Sequence, residues 1–139
     1  MDEGTVDWGP LQAPSLSEFE ALAAQAWASL PIQFREMAGN VIVRVEDFAT
    51  QEVLRQLKID SPFDLMGLYQ GISLEKKSVM DLSRGPDMVF LYRRALLDCW
   101  AEGEETLGRL ISHVLVHEIG HHFGLSDADM ERIEASTSD

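Results

Sequence analysis

Cysteine, basic residues and long apolar runs are all scarce in this sequence. Cys99 is the only cysteine, so the chain cannot form an internal disulfide. The 11 Lys and Arg residues stand against 24 Asp and Glu, and the net charge of -13 disfavours binding to nucleic acids and to anionic membranes. No segment approaches the roughly 18 apolar residues of a membrane span, and Met1 to Glu20 lacks the apolar core of a signal peptide. We therefore expect a soluble, cytoplasmic protein without nucleic-acid or membrane partners, and the oligomeric state stays open.

The size and composition are typical of one globular domain. The chain has 139 residues, of which 45% are hydrophobic and 25% are charged. Residues 1–14 mix glycine, proline and acidic residues without an apolar period, whereas helical spacing begins at Ser15. We expect a flexible N-terminal segment over residues 1–14 and a single domain over residues 15–139.

Helical spacing of apolar residues predicts several helices. The first follows Ser15, which forms a capping-box pattern with Glu18, and it ends at Pro31. A further short turn is expected to close at Gly39. The other helices are predicted over residues 50–58, 95–102 and 104–123, with Gly124 as the left-handed stop of the last one.

Three segments have the patterns of strands. Residues 40–47 alternate valine with other side chains, residues 67–74 form a weaker pattern that contains two glycines, and residues 88–92 are an apolar and aromatic run. If residues 88–92 form an edge strand, an extended peptide could pair with them. Together the elements predict an α+β fold, in which helices pack against a short mixed sheet.

The last long helix contains the motif His117-Glu118-Ile119-Gly120-His121, an HExxH sequence. Two histidines four residues apart lie about 40° apart around a helix and one turn from each other, so both imidazoles can bind one metal ion. Glu118 lies about 100° from His117, where its carboxylate can reach a metal-bound water. This is the arrangement that metal-assisted hydrolysis needs, because the metal lowers the pKa of the water and the carboxylate accepts its proton.

The residues after the motif extend it to HExxHxxGxxD. Gly124 can adopt a positive φ and turn the chain back toward the metal, which makes Asp127 the favoured third ligand. Asp129 and Glu131 are its rivals, and Ser126 with Asp129 also has the pattern of a helix cap. Two histidines and a carboxylate suit Zn²⁺, one ion per chain, although Fe²⁺, Mn²⁺ and Co²⁺ also accept this ligand set.

Four other polar residues are candidates for a place in the site. His122 lies about 100° from His121 around the helix, so we interpret it as a helix-end residue rather than a ligand. His113 is one turn before His117, and a structural role is favoured over a role in the cleft. Tyr69 and Tyr92 could donate a hydrogen bond to an oxyanion, but tyrosines in strands more often serve packing.

Four segments of the sequence resemble the small bacterial zincin-like family of zinc metallopeptidases. They are HEIGHHFGLSDADM, LPIQFREMAGNVIVRVEDF, LMGLYQGISL and VFLYRRALL, and the similarity covers roughly Leu16 to Ile133. The resemblance implies a minimal metallopeptidase domain whose active-site helix carries His117, Glu118 and His121.

The sequence also resembles the larger metzincin proteases, but it departs from them at two points. It has Asp127 where they have a third histidine, and its Met130 is too close to the motif to form their methionine turn. We therefore expect the floor of the site to be built differently or to be absent.

The sequence is compatible with two hypotheses for the function. In the first, His117, His121 and Asp127 bind Zn²⁺, Glu118 is the general base, and the protein hydrolyses a peptide or protein substrate. In the second, the protein is a metal-binding module with little or no proteolytic activity that acts in binding or regulation. A structural domain without metal is the least favoured interpretation.

Overall fold

Six α-helices and a three-stranded sheet are present in the computed structural model, which describes residues 6–71 and 86–137. This is the α+β fold with a short mixed sheet that the sequence predicts. One short 3-10 helix, Pro62–Asp64, precedes the second strand. The helices are α1 (Leu16–Ser29), α2 (Ile32–Ala38), α3 (Gln51–Leu57), α4 (Arg93–Glu102), α5 (Leu107–His122) and α6 (Asp127–Ala135), and the strands are β1 (Ile42–Glu46), β2 (Gly67–Gln70) and β3 (Met88–Tyr92).

The described strands lie in the order β1-β3-β2. β1 pairs with β3 in parallel, with Val45 opposite Leu91, and β2 pairs with β3 antiparallel, with Leu68 opposite Phe90. The apolar segment 88–92 is thus the central strand, and Val89 and Leu91 are fully buried. An extended peptide cannot add to β3, because β1 and β2 occupy both of its sides. In the part of the chain that the structure describes, β2 is an edge strand instead.

Side-chain caps decide where the helices begin. The Ser15–Glu18 capping box is confirmed: the Ser15 hydroxyl accepts the Glu18 amide at 3.2 Å, and the Glu18 carboxylate accepts the Ser15 amide at 2.9 Å. α5 begins at Leu107 rather than at residue 104, because the Thr106 hydroxyl accepts the Arg109 amide.

Among the other differences from the predicted elements, those at α2 and β2 are the largest. The expected turn after Pro31 is the seven-residue helix α2, since a proline is tolerated just before the first helical residue. β2 is shorter than predicted: it ends at Gln70, and residues 72–74 of the predicted strand lie outside the described residues.

The core lies between α1, α5 and the sheet. Its fully buried side chains include Phe19 from α1, Leu91 from β3, and Ile111, Leu115 and Ile119 from α5. α5 therefore has one face in the core while its other face carries the histidines. None of the described helices is long and apolar enough to cross a membrane.

Candidate metal centre

The HExxH motif forms the C-terminal part of α5. Ile119 and Gly120 are buried, His117 and Glu118 are partly buried, and His121 is exposed. The rings of His117 and His121 lie on neighbouring turns, with centroids 5.7 Å apart and planes at 87°. Histidines on neighbouring turns of one helix are the usual ligand pair of this motif, and imidazole is an established ligand of zinc. Their assignment as ligands stays a prediction.

Glu118 points toward the edge strand β2. The nearby backbone amide of Tyr69 favours the ionised form of its carboxylate. Gly67 makes this approach possible, because a Cβ there would lie 2.6 Å from Val114 Cγ1 and 3.5 Å from Glu118 Cγ. Burial raises the pKa of the Glu118 carboxyl, while the Tyr69 amide and nearby His121 oppose the rise. A carboxyl with a raised pKa is better matched to accepting a proton near neutral pH.

The turn after α5 brings the chain to the start of α6. Gly124 has φ 76°, the left-handed conformation that the sequence predicts. Its amide donates to the His121 carbonyl at 3.1 Å, and the Leu125 amide donates to the Gly120 carbonyl at 2.9 Å. Asp127 is the first residue of α6, and its side chain is exposed. It stays the predicted third ligand.

Asp129, the rival of Asp127, has other contacts. The predicted capping box is confirmed: one Asp129 carboxylate oxygen accepts the Ser126 amide at 3.2 Å, and the Ser126 hydroxyl accepts the Asp129 amide at 3.1 Å. The other Asp129 oxygen forms an ion pair with Arg132. Both carboxylate oxygens of Asp129 therefore have partners within α6 and its cap, which favours Asp127 as a ligand. Glu131 is exposed on the same helix.

Met130 lies behind the motif and forms part of the floor that the sequence comparison left undefined. It is fully buried, and a Cβ at Gly120 would lie 2.6 Å from its sulfur. α6 thus packs directly against the backbone of α5 just before His121. The absence of a side chain at Gly120 is what allows this contact.

Glu134 is the residue that sequence reasoning missed. One of its carboxylate oxygens lies 2.6 Å from His113 Nδ1, and the other lies 3.2 Å from His117 Nε2. Among residues 6–71 and 86–137, the ligand atoms of His113, His117 and Glu134 form a group within 4.8 Å, and neither His121 nor Asp127 belongs to it. The four-residue spacing of His113 and His117 is visible in the sequence and is that of a possible ligand pair. Only the packing of α6 on α5 brings Glu134 to them.

A cavity of about 330 Å³ opens beside this group. It lies at the N-terminal part of α5, one turn and more before the HExxH motif. Its walls include His113 and Glu134, together with Glu105, Arg109, Ser112 and Thr137. The group is therefore accessible from solvent.

His122 lies apart from the other histidines of α5. It is the last residue of the helix, as predicted, and its ring stacks on Tyr69 with centroids 3.9 Å apart. The Tyr69 hydroxyl donates to an Asp87 carboxylate oxygen at 2.7 Å, and burial raises the pKa of Tyr69. This hydroxyl is engaged with Asp87, which fits the packing role that the sequence favoured.

Tyr92 has a packing role as well. It is 3% exposed in a second buried cluster with Ala49, Leu54 and Ala95. Burial raises its pKa to about 12, with smaller contributions from the carboxylates of Glu46 and Glu118.

Comparison with known proteins identifies the family of this chain. The model of the zincin-like metallopeptidase family matches residues 38–137, a span that runs from the end of α2 to the end of α6 and includes the whole HExxH motif. The chain belongs to the zincin-like metallopeptidase family. Membership confirms the resemblance, although the match begins after α1 rather than at Leu16. It also implies zinc as the cofactor, and the donor groups on α5 and α6 are of the types that zinc accepts. No curated protein matches the chain.

Proposed function

We propose that this protein is a zinc-dependent hydrolase of peptide bonds, with Glu118 as the general base. The observation that carries the proposal is the position of Glu118. Its partly buried side chain lies between two histidines in the sequence and near the backbone amide of Tyr69 in the edge strand β2.

His117, His121 and Asp127 are the residues that would hold Zn²⁺ in this function. Two imidazoles and one carboxylate are a ligand set of catalytic zinc sites, which keep a fourth position open. When bound there, zinc lowers the pKa of a water molecule and polarises the substrate carbonyl.

Glu118 moves the proton. Its carboxylate accepts a proton from the attacking water and passes it to the nitrogen of the leaving amine. Burial raises the pKa of the Glu118 carboxyl, which brings it closer to the pKa of a base that works near neutral pH.

The edge strand β2 supports an extended peptide as the substrate. Within the described residues its outer side is not paired with another strand, and a peptide can add to such an edge through main-chain hydrogen bonds. The backbone of Tyr69 in β2 lies near Glu118, so a peptide bound along β2 would pass close to the base. The net charge of -13 disfavours nucleic acids and anionic lipids as alternatives.

A metal-binding module with little activity is the second candidate function. The observation in its favour is that the cavity of about 330 Å³ is lined by His113 and Glu134 rather than by Glu118 or His121. Such a module would keep the metal ligands and lack a groove that brings a peptide to the base.

Replacement of Glu118 by glutamine separates the two functions. Peptide cleavage by the zinc-loaded Glu118→Gln variant should fall by about 10²–10⁴-fold, the contribution typical of a general base. Its zinc content should equal that of the wild type, because Glu118 acts on water and not on the ion. Cleavage of a broad peptide library would be measured by mass spectrometry, with the exposed Glu131→Gln as the matched control.

Two results would contradict the proposal. Cleavage that survives Glu118→Gln would mean that another group is the base. An absence of cleavage by the zinc-loaded wild type across the library, with zinc binding intact, would favour the metal-binding module.

A further inference from the structure

His113, His117 and Glu134 bring three metal-binding groups together outside the HExxHxxGxxD pattern. The two carboxylate oxygens of Glu134 point to different histidines, at 2.6 Å from His113 Nδ1 and 3.2 Å from His117 Nε2. All three ligand atoms lie within 4.8 Å of one another. Ligand atoms about 2.1 Å from one tetrahedral zinc ion are roughly 3.4 Å apart, so small side-chain rotations would close the group around an ion.

We propose that His113, His117 and Glu134 form a second binding position for a divalent cation, which competes with the HExxH position for His117. A neutral imidazole has one nitrogen that can accept and one that carries a proton, so His117 can bind one ion at a time. An ion bound with His113 and Glu134 therefore excludes one bound with His121. The wild type holds one ion per chain in either case. The two positions differ in the residues on which metal binding depends.

The chemistry of the three groups suits zinc and its relatives. Two histidines and one glutamate are a known ligand set of catalytic zinc sites, and they also accept Co²⁺ and Mn²⁺. The ligands come from two helices that pack against each other, α5 and α6, so their separation does not depend on a loop. A carboxylate that reaches both histidines at once is what a three-ligand site requires.

An ion can reach this position from solvent. The side chain of His113 is 49% exposed, and those of His117 and Glu134 are 27% and 26% exposed. The adjoining cavity of about 330 Å³ provides the path. The net charge of -13 raises the concentration of cations near the surface.

The test removes the HExxH position and asks whether a metal still binds. Full-length protein would be stripped with chelator, and Zn²⁺ and Co²⁺ would be titrated into His121→Ala by equilibrium dialysis. We expect His121→Ala to retain one ion at reduced affinity. Adding Glu134→Gln or His113→Gln should each weaken this remaining binding by more than about 10–100-fold, the loss typical of residues that only support a ligand.

In the His121→Ala background, the exposed Glu131→Gln is the matched control, because it removes a carboxylate from the same helix α6 and should leave the remaining binding unchanged. Asp127→Asn in that background tests the rival possibility that the remaining ion is held by the HExxHxxGxxD ligands. Circular dichroism of the metal-free variants would establish that each one folds. The Co²⁺ absorption spectrum should change on Glu134→Gln, because a carboxylate ligand is lost.

The outcomes distinguish this position from the HExxH site. If His121→Ala binds no metal, or if Asp127→Asn weakens its binding while Glu134→Gln does not, the second position is refuted and the HExxH site stands. If Glu134→Gln as a single substitution abolishes metal uptake and His121→Ala as a single substitution has no effect, the second position is supported and the HExxH assignment fails.

Discussion

The two ends of α5 differ in what lies against the side of the helix that faces away from the core. In residues 116–122, which we call the motif end, Ile119 and Gly120 are buried and Met130 contacts the helix backbone. In residues 107–113, which we call the cavity end, His113 is half exposed beside a cavity of about 330 Å³. The helix is continuous through both ends, so its local conformation does not explain the difference. The neighbouring elements do: α6 packs against the backbone at Gly120, whereas a cavity adjoins His113.

Two glycines of α5, Gly108 and Gly120, have different surroundings at the two ends. At Gly120 an added Cβ would lie 2.6 Å from Met130 Sδ and 3.0 Å from Met130 Cγ, whereas at Gly108, near the start of α5, it would have no atom within 4 Å. The same substitution should therefore have opposite effects at the two ends of one helix.

Met130→Ala is the change with the largest expected effect. Met130 is fully buried against the motif end, and its truncation should lower the free energy of unfolding by about 2–5 kcal/mol through lost contacts and a cavity. Urea denaturation of the metal-free protein would measure it. The neighbouring exposed Glu131→Ala should change stability by less than about 0.5 kcal/mol. Equal effects of the two substitutions would mean that α6 does not support the motif end.

Gly67→Ala should have a smaller effect, at the point where β2 packs against the middle of α5. The new methyl group would lie 2.6 Å from Val114 Cγ1 and 3.0 Å from the Phe90 carbonyl oxygen, so β2 or α5 must move. We expect a loss of about 1–3 kcal/mol in the free energy of unfolding, the usual cost of overpacking.

A double-mutant cycle with Val114→Ala tests the cause of that loss. Removing Val114 Cγ1 should make Gly67→Ala less costly than in the wild type, because the closest contact is gone. Strict additivity of the two substitutions would show that the strain at Gly67 lies elsewhere.

Gly108→Ala should have the smallest effect and the opposite sign. The position is helical and open, so alanine should raise the free energy of unfolding by up to about 1 kcal/mol through helix propensity. Thermal denaturation would compare it with Gly120→Ala, which should lower the melting temperature. If both substitutions raise the melting temperature, the close contact between Gly120 and Met130 does not limit the motif end, and the contrast between the two ends is wrong.

Local features of the fold were predictable from the sequence because they depend on neighbours within one turn. The capping boxes at Ser15 and Ser126 and the left-handed Gly124 are formed by residues three or fewer positions apart or by a single backbone conformation. The same reasoning placed His117 and His121 on one helix face. In each case the helix period alone decides the geometry.

Contacts between elements were not predictable in this way. The sequence did not show that residues 88–92 form the central strand, that His122 stacks on Tyr69, or that Met130 lies behind Gly120. Each contact joins segments whose relative position depends on how the sheet and helices pack. Strand order in particular follows from connections that the hydrophobic pattern of a single strand does not contain.

The candidate site divides along the same line. The sequence by itself determined the HExxH face of α5, the turn at Gly124 and the types of ligand available, because these follow from helical spacing and side-chain chemistry. Only the tertiary structure decided that β2 lies beside Glu118 and that Glu134 lies between His113 and His117. The physical reason is that these contacts depend on the angle at which β2 and α6 pack against α5, and helix periodicity carries no information about that angle.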